Sequence, residues 1–206
     1  MNSYSISLVT LLHGELENGT NYFSSGSFFK SFEHIDQFCT LHICSHFGQE
    51  LPPEFLNKHD LLSSHRFREI SHFRSSSELT GLKCSVILGF QILPGEGKDV
   101  NFDGNGEDGG VRGKDYFLAN WEELSGLGNL LLFLSKKRFS VCQVTLLQNI
   151  EEVAGEFFKY IVQVDVIYEK AMLIYLLDYV QRAREGRNSG HISVYQEISL
   201  DNEFKF

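Results

Sequence analysis

Residues 82–92 constrain the fold most: Leu82, Cys84, Val86, Leu88, Phe90 and Ile92 all fall on one side of an extended chain, the mark of a strand with a buried face. Residues 4–12 carry a related pattern, with Ile6, Leu8 and Leu12 on one face and Val9 and Leu11 on the other, as in a strand near the middle of a sheet. Residues 39–45 set Leu41 and Ile43 against Thr40, His42 and Cys44, and residues 139–147 are rich in Val, Thr and Leu. Residues 191–200 close the set, with Ile192, Val194, Ile198 and Leu200 on a core face and Ser193, Tyr195 and Glu197 outward. Strands of this kind need a layer of structure to cover them.

Helical signals supply that layer. Residues 32–38 suit one short helix. Pro52-Pro53 ends the element before it, and residues 54–74 predict a helix with Phe55, Leu56, Leu61, Leu62, Phe67 and Ile70 as its apolar positions. Asn120-Trp-Glu-Glu123 has the form of a capping box, so a helix is expected to start at Trp121 and run to about Lys136, where Lys136-Lys-Arg138 suits its carboxyl end. Gly126 and Gly128 inside it imply close packing, since each costs about 1 kcal/mol against alanine. From Ile150 a stripe through Val153, Phe157, Ile161, Val164 and Tyr168 keeps a helical period to Arg184 and predicts two helices or one bent one. Tyr160, Val162, Val164, Val166 and Tyr168 also alternate as a strand would.

The sum is an α+β chain, a single domain over residues 1–206, with a mixed or largely antiparallel sheet of about five strands and helices packed on it. No internal repeat is visible. Residues 94–115 interrupt this order: glycine and acid replace apolar periodicity, and glycine at that density reads as a loop inserted between a strand and a helix.

The net charge of −9 argues against phosphate-backbone binding as the main activity and leaves a basic or neutral-polar protein partner easier to accept. The basic run from His65 to Arg68, with His72 and Arg74, interleaves with Phe67 and Phe73 and reads as a solvated helix face. Four cysteines do not make a disulfide framework in a chain of this length, no basic-then-apolar leader opens the sequence, and a reducing, cytoplasmic compartment is the expectation. No apolar run reaches the roughly 18 to 20 residues of a membrane-spanning helix.

Within the loop, Asp99-Val-Asn-Phe-Asp-Gly104 spaces alternate side-chain oxygens for a hard cation. Asp99, Asn101 and Asp103 would be side-chain ligands and Asn105 a backbone one, with Glu107, Asp108 or Asp115 closing the shell. Over this one segment the chain resembles the calcium loops of EF-hand proteins, which implies calcium as the only cofactor. It departs from them at Gly110, where the bidentate Glu belongs, and at Gly106, where an apolar anchor belongs. Cys39, His42, Cys44 and His46 do not form a zinc set, because on a strand residues 42, 44 and 46 share a face that Cys39 does not. His42-Ile-Cys44 and His191-Ile-Ser193 resemble the paired strands of two-histidine phosphoesterases, which implies hydrolysis with His42 and His191 as acid and base, within about 6 Å of each other across one cleft. Without a complete catalytic motif, the leading expectation is a non-enzymatic intracellular module that neutralises or scaffolds a protein partner, with the two-histidine hydrolase as the alternative.

Overall fold

The computed structural model describes residues 3–8, 27–32, 40–44, 63–75, 80–90, 109–150, 158–185 and 190–198. Eight strands lie among them: β1 (Ser3–Leu8), β2 (Ser27–Ser31), β3 (Thr40–Cys44), β4 (Ser63–Arg74), β5 (Leu82–Phe90), β6 (Ser140–Asn149), β7 (Tyr160–Tyr168) and β8 (His191–Ile198). Helices α1 (Gly109–Leu124) and α2 (Leu127–Lys136) follow β5, and α3 (Leu173–Glu185) follows β7 after a short turn of tighter helix at Lys170–Met172. Every strand pairing is antiparallel, and the ring β1-β3-β2-β8-β5-β7-β6-β4 closes on itself.

The expected α+β class with an antiparallel sheet holds, and the sheet has eight strands because it is a barrel. Closure also reveals a repeat that the sequence hides. Strands β1 to β4 lie side by side in the order fourth, first, third, second of their half, and β5 to β8 lie in the same order within theirs. The second half, β5-α1-α2-β6-β7-α3-β8, follows the βαββαβ path of a ferredoxin-like unit. Two seams join the halves, β4 against β6 and β2 against β8, so neither half keeps a free edge there.

Closure gives each strand of the second half two faces with different coverings. Even-numbered residues of β5 and β7, Val86, Leu88, Phe90, Tyr160, Val162 and Val164 among them, pack with Phe117 of α1, Leu127, Leu130 and Leu134 of α2, and Leu176 and Val180 of α3. Odd-numbered residues face the lumen. This explains the corrected reading of residues 160–168, a strand where a helix was expected: with both faces covered, apolar residues at Ile161 and Ile167 fill what would otherwise be polar positions, and alternation is blurred. Ser193 and Tyr195, expected outward, are fully buried for the same reason, while Glu197 is exposed at the end of the strand.

Residues 63–74 are likewise a strand and not a helix. They are held between β1 and β6 on both sides, and pairing on two edges overrides their local pattern. A register shift between Glu69 and Ser71 inserts Ile70 as an extra residue, which packs against the core. The capping box falls at a real break: Asn120 leaves the helical region (φ −128, ψ 21), and the helix before it reaches back to Gly109, inside the stretch read as a loop. Gly126 takes a left-handed backbone (φ 72) between α1 and α2, and Gly128 faces open space, so turn geometry and not close packing accounts for the first of them. Residues 32–38 as a helix, and the remainder of the loop, lie outside the described residues except for Phe32.

Candidate active site

The register lines up four residues across four strands on the helix-covered face. Arg68 of β4 pairs with Gln148 of β6, Gln148 with Tyr160 of β7, and Tyr160 with Phe90 of β5. The line crosses the β4/β6 seam, so its cation comes from one half of the chain and its other three members from the other half. Arg68 donates from Nη2 to Gln148 Oε1 (2.9 Å), and Gln148 Nε2 donates to the Tyr160 hydroxyl (3.4 Å). Gln148 is 5% exposed and Tyr160 0%. A buried amide costs stability unless both its ends are bonded, and these two contacts satisfy them.

Aromatic rings close the line at its apolar end. Phe117 of α1 lies 4.7 Å from the Tyr160 ring, centroid to centroid, tilted by 39°, and 5.9 Å from Phe90. Leu118, Trp121 and Leu124 of the same helix pack on the same core. The guanidinium is the exception to this satisfaction. Arg68 Nε is buried without a hydrogen-bond partner, and among the described residues no carboxylate stands within ion-pair distance of Arg68. Arg68 is thus a half-buried cation held by one neutral amide, an arrangement that leaves its charge without a counter-ion among the described residues.

The lumen holds a second polar group. Ser85 Oγ and Gln163 Nε2 both donate to Asp165 Oδ1, at 2.6 and 2.8 Å. Burial pushes the Asp165 carboxyl above its ordinary range; the two hydrogen bonds pull it back, Glu197 raises it further and Lys83 lowers it. Gln143 donates to Thr145 in the same lining (2.9 Å). At the other end of β5 the His191 ring lies 3.2 Å from the Tyr195 hydroxyl and 5.5 Å from the Phe158 ring. Phe158 packs onto Gly89 so closely that an added Cβ there would meet its ring at 2.6 Å.

The two-histidine arrangement is not present. His42 pairs with Phe28, and Phe28 with Ile198, seven residues along β8 from His191. At about 3.3 Å per residue the two backbones stand roughly 23 Å apart along the strand, beyond any shared substrate. Asp99, Asn101, Asp103, Asn105 and Asp108 lie outside the described residues, and among the described residues no cluster of three metal-ligating side chains forms. No helix among them is long and apolar enough to cross a membrane. The basic run is corrected too: Phe67 is fully buried in the barrel and Arg68 belongs to the site, while Phe73 is exposed. Gln148 was the missed signal, a polar residue in line with Val144 and Leu146 on the core face of its strand.

Solved structures similar to the chain include the following three. An anthrone oxidase-like protein aligns with a TM-score of 0.53 at 13% identity, covering 96% of this chain and 92% of that one. A candidate monooxygenase from Fusobacterium nucleatum aligns at 0.46 and 10% identity, covering 96% and 92%. Another, from Lactobacillus acidophilus, aligns at 0.41 and 7%, covering 96% and 94%. The two lower scores carry no argument, and at 13% identity the first establishes the fold alone. It is nonetheless a fold carried by an oxidase-like protein, which corrects the expectation of a non-enzymatic binding module, an expectation drawn from the lack of a motif. No curated protein matches the sequence. The model of a family described as a domain of unknown function, DUF7153, matches residues 23–197, from β2 through nearly all of β8, and the chain belongs to that family.

Proposed function

We propose that the chain is an enzyme that oxidises a small aromatic substrate at the β4/β6 seam. The observation that carries this reading is the buried line Arg68–Gln148–Tyr160 set against the Phe90 and Phe117 rings, in a barrel similar to that of an anthrone oxidase-like protein. The unpartnered Arg68 Nε supplies a hydrogen bond to an oxygen atom of the substrate. As charge develops on a substrate oxygen during loss of a proton from the neighbouring carbon, a fixed guanidinium lowers the barrier.

Anthrone is the first substrate to try. Its methylene carbon loses two hydrogens and gains one oxygen atom from O2, and the second oxygen leaves as water, so one O2 is consumed per quinone formed. Purified protein should convert anthrone to anthraquinone with matching oxygen uptake above the spontaneous rate. Arg68→Met should lower kcat/KM by about 100-fold or more, the scale of a lost charge-stabilising donor. Full activity in Arg68→Met would remove the site from the reaction, and no turnover of anthrone or related hydroxylated rings would sink the oxidation reading.

A further inference from the structure

We infer that the ligand of the seam site carries an oxyanion, a carboxylate or an ionised hydroxyl, and that Arg68 is its ion partner. This deepens the proposed function and rests on the same site.

Arginine carries five N–H donors in a rigid fork, and Nε with one Nη forms the pair that meets two oxygens, or one oxygen symmetrically. Arg68 uses Nη2 on a neutral amide, while Nε is buried without a partner and no carboxylate pairs with the group among the described residues. A charge in this position is stabilised most by an anion with matching geometry, and a neutral ligand would leave the charge uncompensated while removing water from it. Gln148 adds the selectivity: its amide oxygen already accepts from Arg68, so it holds the fork in one orientation. Non-specific attraction does not explain a preference for anions, because the chain carries a net charge of −9 and repels them at long range.

The test uses two pairs of probes of matched shape, measured by titration calorimetry on the full chain: 2-naphthoate against 2-naphthamide, and 2,4-dinitrophenolate against 2,4-dinitroanisole. At least one anion should bind tenfold or more tightly than its neutral partner. The first pair reports carboxylate recognition and the second an ionised hydroxyl. Arg68→Met should erase the preference and Arg68→Lys should keep part of it. If Arg68→Met does not fold, the Nε–H resonance of Arg68 in the unaltered protein replaces it, and should shift on addition of the preferred anion and not of its neutral partner. Equal binding within both pairs overturns the inference, as does a preference that survives Arg68→Met or leaves the Nε–H resonance unmoved. Anion binding without oxygen uptake would retain this inference and sink the oxidation reading; equal turnover of neutral rings would do the reverse.

Discussion

Each seam of the barrel has an arginine beside it, and the two are held differently. At the β2/β8 seam, Arg184 of α3 reaches past the end of β2, donating from Nε to the carbonyl of Ile192 (2.7 Å) and from Nη2 to Ser193 Oγ (3.0 Å). It continues the ladder where Phe32 makes the last backbone bond, to the carbonyl of Val194. At the β4/β6 seam, Arg68 meets a side-chain amide and leaves Nε bare. An arginine that completes a sheet has its donors engaged by backbone and hydroxyl; one that awaits a ligand does not. The residues around them differ as well. The first residue of β3, Thr40, pairs with Lys30, which pairs with Gln196, and this row is the counterpart in the repeat of Tyr160, Gln148 and Arg68. It contains no aromatic residue, so among the described residues the arrangement occurs at one seam and not at both.

The largest effect should come from the strand both seams depend on. Val86 is fully buried on β5, between β7 and β8, and Val86→Asp should cost about 4 kcal/mol or more and abolish cooperative melting, since an unpaired carboxylate has no partner there. Next, Arg184→Ala should lower stability by about 2 kcal/mol, the worth of charged hydrogen bonds to Ile192 and Ser193, without changing turnover per folded molecule. Arg68→Met should lower stability by less, about 1 kcal/mol in denaturant melts, because the bond lost at Gln148 Oε1 is offset by removal of a poorly compensated charge. Equal losses at the two arginines would erase the distinction between the seams.

The smallest effect sharpens it from the lumen. The carboxyl of Asp165 is raised in the folded state above its unfolded value, chiefly by burial, so folding favours the protonated form. Its contribution is therefore complete below the unfolded value and is lost as pH rises through the folded one. Asp165→Asn keeps an oxygen for Ser85 and Gln163 and removes that loss. The variant should melt higher than the unaltered protein at pH 7, and the gap should close near about pH 4. A gap that does not vary with pH would show that the carboxyl is unperturbed.

How much of this was legible depended on how many neighbours a residue needed. Strand β5 declared itself because one face meets helices with large apolar residues and the other carries Lys83, Ser85 and Gly89. Strand β7 did not, since lumen and helix layer are both apolar around Ile161 and Ile167. The site was illegible for a further reason: Arg68, Gln148, Tyr160 and Phe90 are separated along the chain and meet only through three strand registers, one of them between the two halves. The repeat escaped because topology preserves it while the residues at matching rows, such as Tyr160 and Thr40, do not.

Ser31 and Ser193 lie 3.4 Å apart, yet 162 positions separate them in the chain. Translation runs at roughly 5 to 20 residues per second, so on the ribosome β2 waits on the order of 10 to 30 s for the strand that covers it. During that interval the β2 edge is open to whatever is nearby, including other nascent chains, and the β4 edge is open until β6 is made. Slowing synthesis after β4 should therefore raise aggregation, even though the finished barrel exposes neither edge.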